Sequence, residues 1–128
     1  MKTATYTNPV TIEVETHYVE EESFPPDERF VFAYTITIHN NDNVPVKLLT
    51  RHWVITDGHG EVDEVHGEGV VGEQPHIGPG DYFHYTSGVV LNTPIGTMEG
   101  SYQMLTDNGD HFDAIIPLFT LSQPNSLH

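Results

Sequence analysis

The fold turns on one stretch: Arg51-His52-Trp53-Val54-Ile55-Thr56-Asp57, then Gly58 to Val65, then His66-Gly67-Glu68-Gly69-Val70-Val71-Gly72-Glu73-Gln74-Pro75, closed by His76-Ile77-Gly78-Pro79-Gly80. It holds the only tryptophan, one of four basic residues and seven of the eleven glycines. Within it, Gly67, Gly69 and Gly72 match the G-x-G-x-x-G pattern of dinucleotide-binding folds. There the glycines follow a strand and open a helix whose N-terminus faces the pyrophosphate. Here Gln74-Pro75-His76-Ile77-Gly78-Pro79-Gly80 comes next, and its prolines and glycines cannot sustain such a helix. No glycine–lysine pair exists for a Walker loop either. The stretch therefore reads as a strand entering at Arg51, an irregular crossover from Gly58 to Gly80, and a strand leaving it.

Segments on both sides carry strand periodicity. Phe30, Phe32, Tyr34, Ile36 and Ile38 share one face, with Thr35, Thr37 and His39 on the other. Val10, Ile12 and Val14 alternate with Thr11, Glu13 and Glu15. From Val46 to Asp57 the pattern puts Leu49, Arg51, Trp53 and Ile55 on one side, and Leu48, Thr50, His52 and Val54 on the other. Asp81 to Leu91 reads as a strand with a break at Gly88, and Gly96 to Leu105 as one with Met98, Tyr102 and Met104 inward. Asp107-Asn108-Gly109-Asp110 is a hairpin signal. The last strand runs from His111 to Leu121, with Pro117 marking a sheet edge. The run Glu20 to Glu28, broken by Pro25 and Pro26, is a solvated loop.

About seven strands with no helical period predict an all-β, immunoglobulin/fibronectin type III-like antiparallel β-sandwich. Trp53 on the third strand supports this, and Gly100-Ser101-Tyr102-Gln103-Met104 resembles a tyrosine corner. The length of 128 residues suits a single domain, with a core from about 10 to 121 and frayed termini. Cysteine is absent, which removes disulfides, thiol nucleophiles and thiolate metal sites. No leader-like or membrane-spanning run is present, so a cytoplasmic location is expected.

Nineteen acidic residues against four basic ones give a formal charge of −15. Such a field repels phosphate backbones and anionic lipid, excluding nucleic acid and membrane as partners. A basic protein surface, a neutral molecule or a cation fits it.

The glycine run supports two functional readings. In one, its glycines let the chain cross between sheets and present a rigid binding loop of Arg51, His66, Gly67, Glu68, Gly69, Gly72, Glu73 and Gln74. In the other, its backbone N–H groups form an anion nest with Arg51 as counter-charge, opposed by Glu68 and Glu73. No catalytic residues are assigned: Ser87 and Ser101 sit in no nucleophile elbow, and acid pairs are uninformative in so acidic a chain. No metal motif is assigned: His52, His59 and His66 recur at sevens, but on a non-helical segment that spacing places nothing together. A site folded together from His66, His76 or His84 with Glu68 or Glu73 is the alternative.

The run from Arg51 to Asp57, the run Val65 to Pro75, Tyr85-Thr86-Ser87-Gly88, Thr93 to Tyr102 and Ile116 to Leu121 together resemble the ApaG family. The likeness extends from about Val10 to Leu121. It implies a fibronectin type III-like sandwich and a link to cobalt resistance and magnesium efflux, without an established molecular activity. It also implies protein binding, since related domains occur in eukaryotic F-box and polymerase-interacting proteins. Pyrophosphate binding has been suggested for the family's glycine motif, here Gly67, Gly69 and Gly72. Some relatives carry arginine at position 66, and His66 weakens phosphate attraction at neutral pH. The expectation is a non-catalytic interaction module with an unidentified protein partner, no cofactor, and at most weak binding of a nucleotide or divalent cation.

Overall fold

Residues 9–124 are described by the structure, a computed structural model. They form eight strands: β1 (Val10–Tyr18), β2 (Phe30–Asn40), β3 (Val46–Asp57), β4 (Val62–Glu68), β5 (His76–Ile77), β6 (Tyr82–Leu91), β7 (Ile95–Thr106) and β8 (His111–Ser122). Residues 125–128 of the expected C-terminal fray, and the start of the chain through Asn8, lie outside the described residues.

Two antiparallel sheets pack face to face. One has the order β1-β2-β6; the other has the order β4-β3-β7-β8, with β5 pairing the start of β3. The chain crosses between sheets after β2, between β5 and β6, and after β6. These crossings place sequence-distant strands side by side, as in fibronectin type III domains. Alternation decides what goes inside. Phe32, Ile36 and Ile38 of β2 are buried against Leu48, Met98, Tyr102, Met104, Ile116 and Leu121 of the other sheet. Trp53 sits at the centre of the aromatic packing, edge-on to Tyr34 at 5.4 Å, Phe119 at 5.9 Å and Tyr102 at 6.4 Å. Each such edge contact contributes about 0.5–1.5 kcal/mol beyond the area it buries. As expected, β8 with Pro117 is an edge strand.

Four sequence expectations need correction. The crossover from Gly58 to Gly80 is not irregular throughout, because β4 and β5 lie within it and raise the strand count to eight. The alternation along β3 breaks: register shifts between Leu48 and Thr50, so Leu48 is fully buried while Leu49 is not. That bulge turns the Leu49 carbonyl away from β7, where it accepts from Gly69 N–H and the Gln74 side chain, both at 2.9 Å. Gly88 does not break β6 but pairs with Ala33. Tyr102 is no tyrosine corner: its hydroxyl shares a hydrogen bond with the Tyr85 hydroxyl across the sandwich, not with nearby backbone.

Candidate functional site

At the end of β4, three glycines do three different jobs. Gly67 pairs across the sheet with Arg51, and a Cβ there would come within 2.6 Å of the guanidinium carbon. Its missing side chain is the space in which Arg51 lies. The guanidinium Nη1 donates to the carbonyls of Glu68 at 3.1 Å and Gly69 at 2.8 Å, so Arg51 clamps the exit of the strand. Gly69 has φ +62, and a Cβ on it would land on the Glu73 carbonyl. Only glycine satisfies both conditions.

The third glycine completes a tight turn. Val70 and Glu73 exchange two backbone hydrogen bonds, at 2.8 and 2.9 Å, and enclose Val71 at φ 43 and Gly72 at φ 83. Positive φ at both central residues is the requirement of a type I′ turn, for which Asn-Gly is the preferred pair. Valine at the first position is an outlier, because a β-branched side chain crowds the left-handed backbone. Val70 is buried in the core, whereas Val71 is 55% exposed. Pro75 accepts from Leu48 N–H at 3.0 Å, so the whole segment is tied to β3.

Beside this turn opens a cavity of about 330 Å³. Tyr34, Trp53, Tyr85 and Ser87 line it from within the sandwich; Arg51, Glu68 and the Val70–Gly72 turn form its other walls. Burial pushes the Tyr34 hydroxyl above the ordinary tyrosine range, while the Ser87 side chain and the Arg51 charge pull it partly back. Burial raises Tyr85 further, against the hydrogen bond from Tyr102. Tyr102 is raised most, first by burial and then by Tyr85. At neutral pH these phenols are therefore hydrogen-bond donors and acceptors, not bases. Among the described residues no carboxylate lies within salt-bridge reach of Arg51. The cavity thus offers a cation, phenols and an aromatic floor: equipment for holding a group that is apolar at one end and accepts hydrogen bonds at the other.

The expected binding residues divide. Arg51, Glu68 and Gly72 line the cavity, while Gly67, Gly69, Glu73 and Gln74 shape the segment that walls it. His66 does not join them. It projects from the opposite face of the sheet, where it stacks on His52 with ring centroids 4.1 Å apart. The histidine spacing does bring two of the three side chains together, contrary to expectation. β3 and β4 form a hairpin centred on His59, so His52 and His66 fall opposite each other. Of the alternative set, His76 pairs instead with Asp107 at 2.9 Å. Sequence reasoning missed Tyr34, Tyr85, Ser87 and Val71 as site residues. Only Val71 carried a local signal, as a β-branched residue before glycine inside a turn.

Comparison with known proteins adds three findings. The family model described as ApaG domain matches residues 20–106. The chain is 56% identical over 119 residues to Protein ApaG of Pseudomonas fluorescens (strain Pf0-1), covering 93% of this chain and 94% of that one. A solved structure of an ApaA protein from Bordetella pertussis superposes with a TM-score of 0.89 at 47% identity, covering 91% of this chain and 95% of that one.

Proposed function

Because the chain belongs to the ApaG domain family, we propose that it is a non-catalytic binding module in divalent-cation homeostasis, the setting the family resemblance implies, and that it grips a protein partner at the Arg51 cavity. The observation that carries this reading is Val71. A β-branched side chain is held at φ 43 and 55% exposed at the rim of an aromatic-floored cavity. Strained, exposed apolar residues are costly to keep and concentrate at recognition sites. A partner segment would place an apolar side chain against Val71 and the aromatic floor, and a carbonyl or carboxylate on Arg51. The formal charge of −15 favours a partner that is basic overall.

Val71→Asp tests this, since aspartate tolerates the left-handed backbone and removes the apolar contact. Proteins captured from cell lysate by the chain should be lost with the variant, at a melting temperature no lower than that of the natural chain. Identical capture by both would remove the reading.

A second reading, nucleotide or polyphosphate binding at Gly67–Gly72, draws support from Arg51, which has no carboxylate partner among the described residues. Against it, the N–H groups of Gly69, Val70 and Glu73 are already bonded to the protein. Titration with ATP and diadenosine tetraphosphate separates the two readings. Amide shifts confined to Gly67–Glu73 that weaken on Arg51→Ala favour the nucleotide; silence at millimolar ligand ends it.

A further inference from the structure

On the outer face of the larger sheet, away from the cavity, three side chains with metal-binding atoms meet. The β3–β4 register makes His52 and His66 direct cross-strand partners, and Glu64 lies two residues before His66 on the same face. The two imidazoles stack with only 8° between their planes. Oε1 of Glu64 accepts from His52 Nε2 at 3.1 Å and lies 3.8 Å from His66 Nε2. One ligand atom from each residue therefore falls within 4.8 Å of the others.

We propose that His52, Glu64 and His66 form a surface site for one divalent transition-metal ion of the zinc class. Two imidazole nitrogens and one carboxylate oxygen are a donor set that zinc accepts, with a fourth position left to water. Donors at bonding distance around a tetrahedral ion stand roughly 3.4 Å apart. The two separations from Glu64 already bracket that figure. Closing the site requires the parallel rings to tip so that their lone pairs converge on one point. His66 is free to do so, with its side chain 69% exposed. The backbone register fixes the positions from which the rings tip, so little ordering remains to be done on binding. Imidazole also sets the selectivity: nitrogen donors suit zinc, nickel and copper, whereas magnesium and calcium want a full shell of oxygens. The acidic chain raises the local concentration of any cation. The site stands on different residues from the cavity and does not depend on the function proposed for it.

The test is a titration of the full chain with zinc chloride, followed by amide and imidazole shifts in NMR spectra and by calorimetry. Saturation at one equivalent is expected, with shifts centred on His52, Glu64 and His66, and none there from magnesium chloride at the same concentration. His66→Gln should weaken zinc binding at least about tenfold, because loss even of outer partners at metal sites costs that much. Its melting temperature should not change, since the side chain is exposed on an edge strand. Glu64→Gln gives a second variant should the first disturb the fold. Unsaturable uptake spread over the nine histidines, zinc affinity unchanged in both variants, or an endpoint at half an equivalent with dimerisation would each overturn the proposal.

Discussion

β4 is held between two turns built on opposite principles. At the hairpin tip, Asp57 Oδ1 accepts from the N–H groups of His59 at 2.8 Å and Glu61 at 3.0 Å, and Gly60 takes the left-handed position at φ 85. Aspartate accepting from the turn's N–H groups and glycine at positive φ are the residues this geometry favours. At the other end, the type I′ turn puts valine where asparagine or glycine belongs. Gly60 at the tip of the first turn faces open space, whereas the second turn walls the Arg51 cavity and packs Val70 into the core. Where local chemistry and global fold agree, a turn serves as a connector. Where they conflict and the conflict persists, the surroundings must impose it, and the position becomes a candidate for function.

The contrast breaks most visibly at the paired glycines. Gly60→Ala adds a methyl group at positive φ into empty space and should cost about 1–2 kcal/mol. Gly69→Ala meets the same backbone penalty and also drives its methyl group into the Glu73 carbonyl. It should cost more than about 4 kcal/mol, in the range reserved for strain combined with a broken network. Chemical denaturation of both variants measures the difference. Equal costs would mean that the second turn is no more bound to the core than the first.

The next effect concerns the cavity floor beneath that turn. Tyr34, Tyr85 and Tyr102 all titrate higher folded than unfolded, because burial penalises the phenolate. The unfolded chain therefore sheds these protons above pH about 10 while the folded chain keeps them. Their contribution is intact below that pH and is lost as pH climbs towards the folded values, at about 1.4 kcal/mol per pH unit for each phenol. Denaturation midpoints measured above pH 10 should fall steeply for the natural chain. The double variant Tyr85→Phe, Tyr102→Phe should lose about two-thirds of that slope, and it removes both partners of one hydrogen bond so that neither is left unpaired. An unchanged slope would place the alkaline sensitivity elsewhere.

How much of this was legible in the sequence depends on whether the deciding interaction was local. The face of β2, the inward Trp53 and the failure of Gly67–Gly72 to open a helix were all readable, because each follows from neighbours a few residues away. β4 was not: Val62 to His66 are all exposed, so an edge strand wet on both faces offers no alternation to detect. Its one clue was symmetry, since Asp57-Gly58-His59-Gly60 is a turn signal and His52 and His66 stand equally far from His59 within it. The bulge at Leu49 escaped because the groups that satisfy its carbonyl, Gly69 N–H and the Gln74 side chain, come from a distant part of the chain. Tyr102 was misread for the same reason, its partner being Tyr85 on the opposite sheet. The cavity draws its walls from β2, β3, β6 and a turn, so no contiguous motif could announce it.

The smallest predicted effect separates strain from function most directly. Val71→Asn creates the Asn-Gly pair that a type I′ turn prefers, and asparagine occupies the left-handed region readily. Val71 is largely in solvent, so little burial is lost in exchange. The variant should therefore gain about 1 kcal/mol, the lower end of what a strained backbone position costs. Partner capture should fall at the same time, because the apolar rim of the cavity is gone. Stabilisation without loss of capture would mean that the strain serves nothing at the cavity. No stabilisation at all would mean that the valine is at ease in its turn, and the contrast between the two ends of β4 would lose its physical basis.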